Sequence, residues 1–316
     1  MAYIGIDLGG TNIAVGAVNE EGQILSQVSV PTGASRPYQE LVKDMAQCVK
    51  DAAEKAGLTL SDIKSVGIGI PGVAEEATGV VFNCTNLGWF NVPLRQELQK
   101  YIDLPVYIDN DANVAALAES YAGVSKNCRS SVMLTLGTGV GGGIVIDGKP
   151  WSGAHGRGGE IGHMTLIPDG VPCTCGNNGC VERYCSATAL IRMGRQECFA
   201  FEGSQMLVRT GGDPEKLNAR IVIDCAKEGD ACATRVFNDF VRFLAMAINN
   251  ITAFFDPEMI VLGGGVSGAG DFLLKAVEAL LPRYQMFKAL PIPKVAIAKL
   301  GNEAGIIGAA MLGKSK

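Results

Sequence analysis

Apolar residues open the chain in short blocks. Tyr3-Ile4-Gly5-Ile6-Asp7-Leu8 reads as a strand, Gly9-Gly10-Thr11-Asn12 as a turn, and Ile13-Ala14-Val15-Gly16-Ala17-Val18 as a second strand. Asn19-Glu20-Glu21-Gly22 turns the chain into a third strand over residues 23 to 30. The period then changes: Leu41, Met45, Val49, Ala52 and Ala56 fall at helical spacing, and Gly57 ends that helix. Val66-Gly67-Ile68-Gly69-Ile70 is a buried strand stopped by Pro71-Gly72, and Val106-Tyr107-Ile108-Asp109 is another. At Asn110-Asp111 an Ala-rich helix begins and runs through Glu119 to Tyr121.

The pattern then restarts. Residues 131 to 136 form a strand, Gly137-Thr138-Gly139-Val140-Gly141-Gly142 a glycine turn, and Gly143-Ile144-Val145-Ile146 a strand that ends in the hairpin turn Asp147-Gly148-Lys149. Strand, Gly/Thr turn, strand thus occurs twice, which predicts a duplicated architecture of two similar α/β lobes. Later come a long helix from about 231 to 255, a strand over 259 to 262, and a Gly263-Gly264-Gly265 turn. A helix over 271 to 281, a strand over 295 to 298 and a last helix over 303 to 312 complete the reading.

Composition narrows the setting. The chain has 316 residues, 47% of them hydrophobic, enough for a large core and more in keeping with two lobes than one. Net charge is −5 and no Lys/Arg run forms a basic patch, which argues against a nucleic-acid partner. No apolar run reaches ~18 residues, so no membrane span is expected. Met1-Ala2-Tyr3-Ile4-Gly5-Ile6-Asp7 lacks the basic and apolar regions of a signal peptide. Ten cysteines in such a chain imply reduced thiols and a cytoplasmic location.

Three of those cysteines, Cys173, Cys175 and Cys180, stand in a Gly/Asn-rich loop with no core of its own, and His163 lies ten residues upstream. Three thiolates and an imidazole make a closed tetrahedral zinc set, the kind that is structural. Glu160 and Glu182 bracket it, which suggests a polar small-molecule site built on a zinc staple. Cys173-x-Cys175 is tighter than the common finger spacing, and Cys185 is an alternative to His163 as fourth ligand. The bland alternative is that the thiols are free small hydrophobes.

Gly137-x-Gly139-x-x-Gly142 matches a dinucleotide string, but here it opens a strand where that fold needs a helix. What remains is two Gly hairpins with one Thr each, Thr11 and Thr138. Gly lets backbone N–H groups approach an anion, so the pair, with Gly263-Gly264-Gly265, could grip a triphosphate, though each alone could be only a tight turn. Asp7, just before the first hairpin, could reach Mg²⁺ through water. Asp111, at a strand end and helix start, reads equally as a proton acceptor or as a helix N-cap; Asn110 could take the cap as well. His155 is given no role, and Trp89 is expected to pack against its lobe.

These residues resemble a known family. Asp7-Leu8-Gly9-Gly10-Thr11-Asn12, Asn110-Asp111-Ala112-Asn113, Leu136-Gly137-Thr138-Gly139 and Gly263-Gly264-Gly265 resemble the ATPase motifs of the sugar kinase–actin–Hsp70 superfamily. Gly159-Glu160-Ile161-Gly162-His163-Met164, with Cys173-Thr174-Cys175 and Gly179-Cys180-Val181-Glu182, resembles the signature of the ROK family (repressors, open reading frames, kinases). The resemblance runs from Tyr3 to about Leu312. Asn86-Leu87-Gly88-Trp89 and the run from Asn110 to Glu119 are most similar to those of its bacterial ATP-dependent glucokinases.

The resemblance implies a two-lobed, duplicated ribonuclease H-like α/β fold with an active-site cleft between the lobes and a small zinc-stapled loop. The expected lobes are residues 1–112 plus 300–316, and 113–299 with the zinc loop at 153–186. It implies ATP with Mg²⁺, a structural Zn²⁺ on His163, Cys173, Cys175 and Cys180, and Cys185 as a bystander. It assigns ATP to Asp7, Gly9, Gly10, Thr11, Asn12, Gly137, Thr138, Gly139, Gly263, Gly264 and Gly265. The sugar falls to Asn110, Asp111, Glu160, His163 and Glu182, with Asp111 as the base. The activity implied is transfer of the γ-phosphate to the 6-hydroxyl of glucose. The rivals are fructose, mannose, allose or an N-acetylhexosamine as substrate, or a sugar-sensing regulator without catalysis. The family's repressors carry a helix-turn-helix ahead of the ATPase motif, for which a motif beginning at Tyr3 leaves no room. Members often form homodimers or homotetramers.

Overall fold

The opening apolar blocks form β1 (Ala2–Leu8), β2 (Asn12–Asn19) and β3 (Ile24–Pro31) in a computed structural model that describes residues 1–200 and 203–315. β1 is buried at every position except the half-buried Asp7, as a strand covered on both faces must be. α1 (Tyr38–Lys55) lays Leu41, Met45, Val49 and Ala52 on the sheet. β4 (Ile63–Ile70) follows, parallel to β1. Then come a small antiparallel sheet of β5 (Val73–Glu75), β6 (Val80–Cys84) and β7 (Trp89–Val92), and α2 (Leu94–Gln99). β8 (Val106–Asn110), parallel to β4, leads into α3 (Asp111–Ala122). The order of the first large sheet is β3-β2-β1-β4-β8.

The second half repeats the plan. β9 (Ser130–Leu136), β10 (Val140–Ile146) and β11 (Lys149–Pro150) come first, the last two joined by Asp147-Gly148 with both residues left-handed, as a two-residue hairpin demands. Helices α4 (Glu182–Cys185), α5 (Ala187–Ala200), α6 (Gln205–Arg209), α7 (Ala219–Lys227) and α8 (Ala231–Phe255) precede β12 (Met259–Gly263). α9 (Asp271–Tyr284), β13 (Lys294–Ile297) and α10 (Ala304–Leu312) close the chain. The second sheet runs β11-β10-β9-β12-β13, the same plan as the first, so the predicted duplication is real. The glycine turn after Leu136 is shorter than the sequence suggests, because β10 begins at Val140 and absorbs Gly141 and Gly142.

The chain divides into two compact units: Met1–Met133 with Gly143–Gly159 and Lys299–Lys316, and Leu134–Gly142 with Glu160–Ala298. No helix among the described residues is long and apolar enough to cross a membrane.

α10 is apolar all round and buried almost throughout. It packs directly on strand backbone: a Cβ at Gly5 would stand 1.9 Å from the Ile306 carbonyl oxygen, and one at Gly67 1.7 Å from that of Ala309. The alternation of isoleucine and glycine in β1 and β4 is therefore a bare track for a helix. The chain's return into this unit is pinned by Glu119, whose side chain is fully buried. Its Oε1 accepts the N–H groups of Lys299 and Leu300 at 2.8 and 2.9 Å, and Oε2 accepts that of Val124 at 2.8 Å. Glu119→Leu takes the acceptor from three part-buried N–H donors, each loss costing up to about 1–3 kcal/mol. A large fall in Tm is expected on thermal unfolding; an unchanged Tm would mean those donors find other partners.

Candidate active site

In the first unit, strand register lines up the polar residues. Asp7 on β1 pairs with Gly69 on β4, and Gly69 with Asp109 on β8. Strands about 4.8 Å apart thus carry Asp7 and Asp109 along one edge, at the carboxyl ends of parallel strands where α/β sheets bind ligands. Burial pushes the Asp7 carboxyl above its ordinary range. That carboxylate lies against the first turn of α10: a Cβ at Gly305 would meet Asp7 Oδ2 at 2.4 Å.

The first glycine hairpin follows. Gly9 N–H donates to the Asn12 carbonyl at 3.0 Å, Thr32 N–H to that of Thr11 at 2.8 Å, and the Thr32 hydroxyl to that of Gly9 at 2.6 Å. Gly10, Thr11 and Asn12 remain exposed at the tip.

At the end of β8, Asn110 takes the N-cap of α3: its Oδ1 accepts the Ala112 N–H at 2.8 Å, while its Nδ2 donates to the Gly72 carbonyl at 3.2 Å. Asp111, one residue on, is exposed, and its own Oδ1 shares the Ala112 N–H at 2.8 Å. Behind them lies a network the sequence does not reveal. Asp109 Oδ1 accepts the Asn110 N–H at 2.7 Å and Asn113 Nδ2 at 2.9 Å, and the Ser152 hydroxyl donates to Asp109 Oδ2 at 3.3 Å. Asp109 and Ser152, with Glu75, Glu76 and His155, line a pocket of about 500 Å³ in this unit. Trp89 is buried, its ring 6.3 Å from that of Tyr38 in an edge-on arrangement, so it packs as expected.

The second unit holds a cluster of side chains that could ligate a metal ion. One ligand atom from each of His163, Cys173, Cys175 and Cys180 lies within 4.8 Å of the others. Cys175 and Cys180 sulfurs are 3.6 Å apart, and Cys173 Sγ is 3.7 Å from His163 Nδ1. Zinc arms of about 2.3 Å to sulfur and 2.0 Å to nitrogen place tetrahedral ligand atoms roughly 3.5–3.8 Å apart, so the set fits a zinc ion. Cys185 is fully buried outside the set, and desolvation pushes its thiol far up. His163 turns Nδ1 to the cluster; its Nε2 is 3.9 Å from Glu160 Oε2.

Glu182 lies against the second glycine hairpin. Its Oε2 accepts the Val140 N–H at 3.1 Å, and its Oε1 is 3.9 Å from Cys173 Sγ. A Cβ at Gly139 would stand 2.2 Å from Oε2, so this carboxylate keeps its place only because residue 139 is glycine. The third glycine turn joins the second: Gly264 is left-handed, and a Cβ there would lie 2.6–2.7 Å from the Leu136 backbone, just ahead of Gly137.

The ROK family profile matches residues 3–316. The glucokinase of Halalkalibacterium halodurans is 38% identical, over 99% of this chain and 95% of its own. The N-acetyl-D-glucosamine kinase of Haemophilus influenzae is 36% identical, over 98% of each. The solved structure of a ROK family glucokinase from Streptomyces griseus in complex with glucose and AMPPNP superposes with a TM-score of 0.83 at 33% identity, covering 100% of both chains.

Proposed function

The chain belongs to the ROK family, and on that premise we propose that it is an ATP-dependent glucokinase, passing the γ-phosphate of ATP to the 6-hydroxyl of glucose to give glucose 6-phosphate and ADP. The observation that carries this reading is the division of labour at the end of β8. Asn110 takes the N-cap position of α3, and Asp111, whose Oδ1 shares the Ala112 N–H, stands one residue on at an exposed position.

Phosphoryl transfer needs positioning, charge neutralisation and a proton acceptor. Asp111 is the acceptor: it takes the proton of the 6-hydroxyl as the new O–P bond forms. Asn110 supplies a further polar contact to the sugar. In the second unit Glu160, His163 and Glu182 offer acceptors and an N–H to other hydroxyls. With a metal on Nδ1 the tautomer would be fixed and Nε2–H would be a donor. The glycine turns at 9–12, 137–139 and 263–265 bring backbone N–H groups to the phosphates of ATP. Asp7 would hold Mg²⁺ through water, and the ion would supply charge neutralisation for the transferring phosphates; a cation there would favour the charged form of a carboxylate that burial otherwise disfavours. Zinc would have His163, Cys173, Cys175 and Cys180 as ligands and a structural role, since four protein ligands leave no open position. We also place the enzyme in the cytoplasm as a homodimer or homotetramer; Phe254, Phe287 and Leu290 are large apolar side chains left exposed on the single chain.

The 36% identity to an N-acetyl-D-glucosamine kinase favours a second reading, another ROK hexose kinase. ADP release measured across glucose, fructose, mannose, allose and N-acetylhexosamines separates the two. Glucose is expected to lead in kcat/KM by about tenfold or more, the scale of one hydroxyl or methylene contact. A faster N-acetylhexosamine would overturn the sugar assignment, and ADP release with none would make the protein a sugar-sensing regulator.

A further inference from the structure

The segment after the last metal-ligating thiol runs onto the second glycine hairpin and holds it at three points. Val140 N–H donates to Glu182 Oε2 at 3.1 Å, Ala187 N–H to the Gly137 carbonyl at 2.8 Å, and the Thr188 hydroxyl to the Thr138 carbonyl at 2.7 Å. The same segment starts at the metal set: Cys180 bridges to Thr165, and Val181 N–H donates to the Met164 carbonyl at 2.9 Å. His163 bears on the hairpin too, because its neighbour Gly162 touches it. A Cβ at Gly162 would lie 1.9 Å from the Val140 carbonyl oxygen.

These bonds do more than tether. In a trans peptide the C=O and the next N–H point in opposite directions. Holding the Gly137 carbonyl therefore aims the Thr138 N–H, and holding the Thr138 carbonyl aims the Gly139 N–H. The turn's own bonds run from the Gly137 N–H, to the Gly139 carbonyl at 3.0 Å and the Thr135 carbonyl at 3.1 Å, and hold neither the Gly137 nor the Thr138 carbonyl. We infer that Thr188 is a positioning residue for the nucleotide, and that residues 182–188 brace the hairpin from the metal set, so that nucleotide affinity depends on the metal site. The inference rests on reading residues 137–139 as a phosphate hairpin.

Thr188 is exposed, touches no metal ligand in these contacts, and can be changed without emptying a core. The test uses the full, zinc-loaded chain, with calorimetric Kd values for AMPPNP and, separately, for glucose. Thr188→Val is expected to keep its zinc content and Tm, to weaken AMPPNP about three- to tenfold, the worth of one hydrogen bond, and to leave glucose unchanged. Thr188→Ser restores the hydroxyl and the affinity. Removing zinc with a chelator weakens AMPPNP in the wild type, and the two perturbations together weaken it by less than the product of their separate effects, since both loosen one brace. An AMPPNP Kd in Thr188→Val equal to wild type overturns the inference, as does equal loss for glucose or full additivity with zinc removal. A wild type that fails to bind AMPPNP at all overturns the phosphate-hairpin reading beneath it.

Discussion

Asp111→Asn should leave a protein that binds both substrates and scarcely turns over. Asn has the same shape, and its Oδ1 can accept the Ala112 N–H that Asp111 Oδ1 accepts at 2.8 Å. The cap of α3 comes from Asn110 and is untouched. What disappears is a group able to take a proton from the 6-hydroxyl. Loss of a general base lowers kcat by about 10²–10⁴. Glucose and AMPPNP Kd values should stay close to wild type, so the damage appears in kcat and not in binding. Retention of more than about a tenth of wild-type kcat would remove Asp111 from the role of base. Parallel loss of glucose affinity would make it a sugar ligand first.

Cys175→Ser should lose the metal, and with it the order of the loop. Zinc bound to such sets contributes on the order of 10 kcal/mol to local folding. Cys175 itself is exposed, so the substitution empties no cavity and the effect reads directly on the metal. The consequences spread along contacts already described: Cys175 to Cys180 at 3.6 Å, Cys173 to Glu182 at 3.9 Å, and Glu182 to Val140 at 3.1 Å. Metal content per chain, Tm and kinase activity should fall together. Cys185→Ala is the control, since Cys185 is buried outside the set. It should keep its metal and most of its activity. If it loses metal while His163→Ala keeps it, the ligands are four cysteines, and the path from the metal through His163 to the sugar is wrong.

Much of the fold was legible because periodicity reports burial. The strands of both large sheets, apart from the two-residue Lys149–Pro150 that reads as part of a turn, and the long helix Ala231–Phe255 stand out by it. The metal set was legible too, since its ligands sit within one loop that can close on itself with few long-range contacts. The small sheet β5-β6-β7 was not. Val73–Glu75 is half-buried at each position and Val80–Cys84 alternates irregularly, so neither shows a clean period.

Within the site, the sequence by itself determined which residue types stand at strand ends and turns: Asp7, Asn110, Asp111 and the three glycine runs. It left open whether Asn110 or Asp111 caps α3, because both are good capping residues with nearly equal positions. Only the tertiary structure decided that Asn110 holds the cap and also reaches Gly72, 38 residues away. Only it joined Val140 to Glu182 across 42 residues and Thr138 to Thr188 across 50. Only it drew Asp109, Asn113 and Ser152 into one network. The reason is physical. Local pattern encodes which side of a helix or strand leaves water, an energy each residue meets alone. A hydrogen bond between distant side chains depends on where two separately folded elements come to rest, and no short window of sequence contains both.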